Sequence, residues 1–134
     1  MRMWLVNPRL MCRRHLLGEH VELHMMVGCI VRGKSLAGYI ETGLIDTRLI
    51  RRRHLELVRE MERRGYTHAS ELPAFKALGK GGGIDAAGNL LELRRRCKSC
   101  AALMKDHYQH ARGRKIQKRA QEQCALRLSQ TGSR

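Results

Sequence analysis

His15, Glu19 and Glu22 follow one another at intervals of four and three residues, a spacing that stacks side chains on one face of a helix. Two carboxylates and an imidazole on one face can move protons. On spacing alone, the plainer reading of this face is a solvated polar stripe with one weak ion pair. As a metal site it is poor, because one helix supplying three ligands leaves a tetrahedral shell incomplete. A second chemistry-bearing pair, Cys97 and Cys100, lies in the run RRRCKSC at 94–100. A C-x2-C pair is half a zinc site, and His107 and His110 follow at a spacing that would complete one. In a continuous helix, however, these four residues stretch over about 20 Å at 1.5 Å per residue. One ion gathers them only where the helix breaks. Free thiols packed on a helix are the plainer reading, and no metal is expected.

The elements that must position these residues are helical. No stretch alternates strictly enough for a sheet, and helical periodicity dominates. A compact, mainly α single domain is expected. Pro8 is placed to open a long helix to about Val31, with Leu16, Leu23, Val27 and Ile30 as its buried stripe and Gly33 as its stop. Residues 34–45 read as a connection. Asp46 or Thr47 can cap a helix to about Arg64, with Ile50, Leu57, Val58 and Met61 on its apolar face. The segment 72–89 contains Pro73 and the run GKGGG, so 79–89 reads as a Gly-rich loop. A third helix is expected from near Asn89. The division is then a helical domain over 1–111 and a basic, partly disordered tail over 112–134, least ordered at Leu128–Arg134.

The 134 residues carry a formal charge of +15 and a pI of about 10.7. Twelve Lys/Arg against two Asp/Glu lie from Arg94 onward, so two-thirds of the net charge sits in the last 41 residues. Such a surface expects a polyanion, with nucleic acid the usual one. By charge alone a ribosomal or architectural protein is the stronger reading. No run of eighteen apolar residues is present, and the start lacks a signal peptide's apolar core. Five cysteines in a helical chain indicate a reducing compartment. The expected address is cytoplasmic and nucleoid-associated.

The opening of the chain is more specific. Met1-Arg2, His15-Leu16, Glu19, Glu22-Leu23 and Gly28 make residues 1–28 resemble, without a gap, the start of the phage endonuclease V family, the pyrimidine-dimer DNA glycosylases. Ile50–Tyr66 (IRRRHLELVREMERRGY) is similar to that family's second helix, and GKS at Gly33–Ser35 fits between the two blocks. The resemblance covers roughly the first half of the chain.

It implies base excision with abasic-site lyase chemistry. The α-amine of the first residue attacks C1′, the glycosidic bond breaks, a Schiff base forms, and β-elimination cuts the strand. The family's catalytic glutamate falls on Glu22 and its second-position arginine on Arg2. Because Arg2 is large, Met1 is expected to be retained and to supply the amine. The chemistry suits an α-amine. Such groups, with pKa about 7.7–8.0, keep roughly a tenth of their population as free base at pH 7, hundreds of times more than a lysine at about 10.4. A nucleophile that forms an imine must be unprotonated.

Val21 and Met25 stand where the phage member has arginines that hold phosphates, and His24 replaces a proline. Phosphate contacts are therefore expected from His15, from Arg51, Arg52 and Arg53, and from Arg112, Arg114 and Lys115 in the tail. The expected partner is double-stranded DNA, bent and with an extruded nucleotide, bound by a monomer without cofactor or membrane. The alternative is a non-catalytic, basic nucleic-acid-binding protein on the same scaffold.

Overall fold

The computed structural model describes the backbone of all residues except 80, 82 and 132–134, and side chains as far as residue 127. Among these residues the fold is all helical: α1 (Arg13–Val31), a short α2 (Ala37–Glu41), α3 (Ile50–Arg63), α4 (Ala86–Arg96) and α5 (Lys98–Thr131), with 3-10 turns at Pro8–Leu10 and Thr47–Leu49.

Pro8 opens the first 3-10 turn and not the long helix. Met11 (φ −96°, ψ 132°) and Cys12 (φ −67°, ψ 163°) are extended, so α1 starts at Arg13. Gly33, at φ 66°, ends it: its N–H reaches the Ile30 carbonyl, and the Lys34 N–H reaches that of Cys29. A left-handed residue here satisfies carbonyls that the helix end leaves without partners. The expected connection at 34–45 contains α2. The Asp46 carboxylate accepts from the Arg48 N–H at 3.0 Å and caps the turn that leads into α3.

Between α3 and α4 the described residues make no helix, but the connection is anchored. The Leu78 N–H donates to the Thr47 hydroxyl at 2.9 Å, and Arg51 donates to the Phe75 carbonyl at 3.2 Å. Asp85 caps α4 by accepting from the Gly88 N–H.

A single helix from Asn89 onward does not occur. Cys97 (φ −129°, ψ 109°) is extended and separates α4 from α5. The tail reading also changes. Residues 112–131 continue α5, consistent with a segment rich in Ala, Leu, Lys, Arg and Gln, with no proline and one glycine. Lys118 and Glu122 add an i,i+4 pair at 4.0 Å. The expected disorder at Leu128–Arg134 lies, for residues 132–134, outside the described residues.

The core forms where Leu16, Leu23, Met26 and Val27 of α1 meet Ile50, Leu57 and Met61 of α3. Leu93, Cys100 and Met104 close it from α4 and α5. The N-terminal segment is threaded between these elements. The Met3 N–H donates to the Leu44 carbonyl at 2.8 Å. The Asn89 amide donates to the carbonyls of Met3 and Trp4 at 3.3 and 3.0 Å. Leu5 adopts φ 50°, a left-handed kink that costs a branched residue free energy. On either side of it Trp4 and Val6 are both buried.

Candidate active site

Threading the N-terminal segment brings Met1 to the α1 face that carries the polar residues. A cavity of about 490 Å³ opens there, lined by Met1, Arg2, Trp4, Arg14, His15, Gly18, Glu19, Glu22, Leu44, Glu92 and Arg96. That volume lies within the range of ligand-sized clefts, about 300–1,000 Å³. His15, Glu19 and Glu22 do share one face, but each has a different task.

Glu22 accepts a hydrogen bond from the Arg2 backbone N–H at 3.0 Å. Its carboxylate therefore lies one residue from the α-amine of Met1. Glu19 is not on a solvated stripe. It is buried, accepts from the Trp4 N–H at 2.9 Å, and holds the Arg53 guanidinium at 2.9 and 2.7 Å. Arg53 also donates to Glu56 at 3.1 Å. The expectation that Arg53 contacts phosphate is thus corrected: its side chain is 1 % exposed and fully engaged inside the protein. Arg51 and Arg52, its neighbours, are exposed on α3, as are Arg112, Arg114 and Lys115 on α5.

The Arg2 side chain lines the cavity. Its Nη1 donates to Glu92 at 3.0 Å, and its guanidinium lies 4.4 Å from the Trp4 ring centroid. Its Nε is buried without a hydrogen-bond partner. A buried donor left in this state is costly, and this one belongs to a side chain that lines the cavity. The hydrogen bond from Arg2, with Arg96 adding to it, holds the Glu92 carboxyl below the usual glutamate range. Arg14 and Arg96 line the same cavity, so three arginines share it with Glu19, Glu22 and Glu92.

His15 faces sulfur. Its Nδ1 lies 3.2 Å from Cys12 Sγ and 3.6 Å from Cys100 Sγ, while its ring meets Trp4 edge-on at 5.9 Å. Burial, then Arg14 and Arg96, lower its pKa. Cys97 and Cys100 accordingly gather with Cys12 and His15, and not with His107 and His110. Those two histidines lie farther along α5, His107 against Tyr108 and His110 on the Asp106 carbonyl at 2.8 Å.

Val21 and Met25 are 56 % and 50 % exposed on α1 and offer no charge. His24 packs against His20 and His54, with ring centroids at 4.8 and 5.2 Å. Burial and crowding by the neighbouring imidazoles lower the pKa of His20 to about 4.

A sequence model described as pyrimidine dimer DNA glycosylase matches residues 1–74. The chain belongs to this family. No curated protein and no solved structure matches it. The family segment contains Met1, Arg2, Glu19 and Glu22 of the cavity lining and Arg53, which pairs with Glu19. Glu92 and Arg96, which line the same cavity, lie beyond it. Membership carries glycosylase action on DNA, in keeping with the strongly basic chain. No helix among the described residues is long and apolar enough to cross a membrane.

Trp4, Arg14, Glu92 and Arg96 were not singled out by sequence reasoning. Trp4 is the chain's sole tryptophan, and Glu92 and Arg96 form an i,i+4 pair at 2.8 Å. Either signal was visible, but neither indicated a cavity.

Proposed function

We propose that the protein is a base-excision repair glycosylase with abasic-site lyase activity, acting on pyrimidine dimers in double-stranded DNA through the Met1 α-amine. The observation that carries this reading is the hydrogen bond from the Arg2 N–H to Glu22, which sets a carboxylate beside the amine in a cavity lined by three arginines and three glutamates.

In the proposed reaction the free amine attacks C1′, and the base leaves with the glycosidic bond's electrons. Glu22 takes a proton from the nitrogen once it has added to C1′ and delivers it to the ring oxygen as the sugar opens to the protonated imine. It then takes a proton from C2′, and the 3′ phosphate departs by β-elimination. Each transfer is ordinary general acid–base work. Arg2, Arg14 and Arg96 surround the position a flanking phosphate would take, and the unpartnered Arg2 Nε supplies a donor. Extrusion of a nucleotide from bent DNA gives C1′ access to the cavity. Arg51, Arg52, Arg112, Arg114 and Lys115 hold the backbone outside it.

The test is incubation of the purified full-length protein, without an N-terminal extension, with duplexes carrying one cyclobutane pyrimidine dimer, one abasic site, or no lesion. Cleavage of the first two with a β-elimination product supports the proposal. Cleavage of the abasic duplex alone limits the protein to lyase action, and cleavage of neither leaves a binding protein.

A further inference from the structure

Cys12, His15, Cys97 and Cys100 come from two distant parts of the chain and place their three sulfurs and one ring nitrogen within 4.8 Å of one another. Cys12 Sγ is 3.8 Å from Cys97 Sγ and 3.2 Å from His15 Nδ1, and Cys100 Sγ is 3.6 Å from that nitrogen. Around one tetrahedral zinc, with Zn–S about 2.3 Å and Zn–N about 2.1 Å, sulfurs lie about 3.8 Å apart and sulfur and nitrogen about 3.6 Å. A disulfide would need about 2.05 Å.

The backbone supports the same reading. Cys12 and Cys97 are both extended residues immediately before a helix, and His15 and Cys100 follow each at i+3 in the first turn. Amides point at the sulfurs: the Cys12 N–H donates to Cys100 Sγ at 3.2 Å, and the Cys100 N–H donates to Cys97 Sγ at 3.4 Å. Burial opposes a thiolate at both Cys97 and Cys100. At Cys97 the donors outweigh it and lower the pKa, whereas at Cys100 burial prevails and pushes the thiol up, so a bound cation would be needed to hold that sulfur as thiolate. The break at Cys97 that parts α4 from α5 makes this convergence possible.

We propose that these four residues bind one zinc ion in a closed Cys3His site. It joins the start of α1 to the α4–α5 junction and so fixes Glu92 and Arg96 against the cavity. Three thiolates and one divalent ion leave a net negative charge, which Arg14 and Arg96 offset nearby. A closed four-ligand shell is structural and leaves no position for a substrate.

A different observation points to a second ion. His20 Nε2 lies 3.1 Å from both His54 Nε2 and His68 Nε2. One ring nitrogen carries either one proton or one lone pair, and cannot pair well with both neighbours. A cation held by all three nitrogens at about 2.1 Å would set them about 3.4 Å apart. The His24 ring packs on those of His20 and His54 but is outside the set of three nitrogens that converge. An all-imidazole set suits zinc, cobalt, nickel or copper.

Both sites are tested on the full chain, stripped with a chelator under reducing conditions and titrated with cobalt(II). The expected result is two equivalents bound. One of them shows sulfur-to-cobalt charge transfer with intense tetrahedral bands, and zinc displaces it. In zinc-loaded protein Cys29 and Cys124 should alkylate while Cys12, Cys97 and Cys100 are protected; chelation should expose all five. The variant His15→Cys should strengthen the charge-transfer band, and Cys29→Ser should not change it. The variant His68→Ala should lower the stoichiometry from two to one and keep that band. Absence of the band in fully reduced wild-type protein, or equal alkylation with and without zinc, overturns the Cys3His site. A wild-type stoichiometry of one, with the band present, overturns the histidine site.

Discussion

The Arg53 guanidinium grips the Glu19 carboxylate with two hydrogen bonds, 2.9 and 2.7 Å long, and neither side chain is more than 1 % exposed. Glu19 uses the same oxygen that binds Arg53 Nε to accept the Trp4 N–H. The pair therefore ties α1 to α3 and fixes the N-terminal segment two residues from Arg2. Removing one partner leaves a buried charge uncompensated, at about 3–5 kcal/mol. Arg53→Met should cost that much in denaturant unfolding, and Glu19→Gln/Arg53→Met should recover part of it. A double variant as unstable as the sum of its singles would show that the two residues act separately.

Glu22 should act through its protons. Glu22→Gln preserves shape and can still accept the Arg2 N–H, so duplex affinity should remain near wild type. Single-turnover cleavage of dimer-containing and abasic DNA should fall by ~10²–10⁴. Wild-type rates would assign the proton transfers to another group. Abolished DNA binding would make Glu22 structural.

Glu60 links acid stability to the N-terminal segment. It accepts from Arg63 and Arg64, each at 2.7 Å, and Arg64 in turn donates to the carbonyls of Pro8 and Met11 at 3.0 and 2.7 Å. Burial pushes its carboxyl up, but the two arginines outweigh that and leave its pKa lowered. A carboxylate lowered on folding stabilises the protein above its unfolded pKa, about 4.3, and loses that contribution as pH falls through the folded value. The thermal midpoint of the wild type should exceed that of Glu60→Gln at pH 7, and the gap should close on acidification below about pH 4.3. A gap independent of pH would remove Glu60 from this role.

The distal part of α5 should supply non-specific affinity. Its side chains are exposed from Tyr108 through Arg119 apart from Ala111, whereas the residues of α5 that reach the core, Cys100 and Met104, lie earlier. Truncation after His110 should leave the fold intact and weaken binding to damaged and undamaged duplex alike. The slope of log affinity against log salt should fall by about 0.9 for each phosphate no longer neutralised, about 2.7 if three cations engage. Cleavage at saturating DNA should persist. An unchanged slope with abolished cleavage would place this helix at the lesion.

Much of this was legible in the sequence because it is local. The α1 stripe of Leu16, Leu23 and Val27, the Gly33 stop and the shared face of His15, Glu19 and Glu22 follow from helical spacing. What escaped depends on contacts across the chain. Nothing near Arg53 distinguishes it from Arg51 and Arg52; only the position of Glu19, 34 residues away, buries one of the three. Cys97 and Cys100 showed a half-site, but Cys12 lies 85 residues upstream of Cys97, and the break at Cys97 has no proline or glycine to announce it. The distal helix of α5 escaped because a dense positive charge suggests a solvated arm, while its helix-forming composition argues the opposite.

The most direct measurement of the central claim is borohydride trapping on abasic duplex, followed by peptide mapping of the covalent complex by mass spectrometry. The account predicts a reduced adduct on the α-nitrogen of Met1, and its disappearance when residues are added before Met1. An adduct on a lysine side chain, or equal trapping by the extended protein, would contradict it.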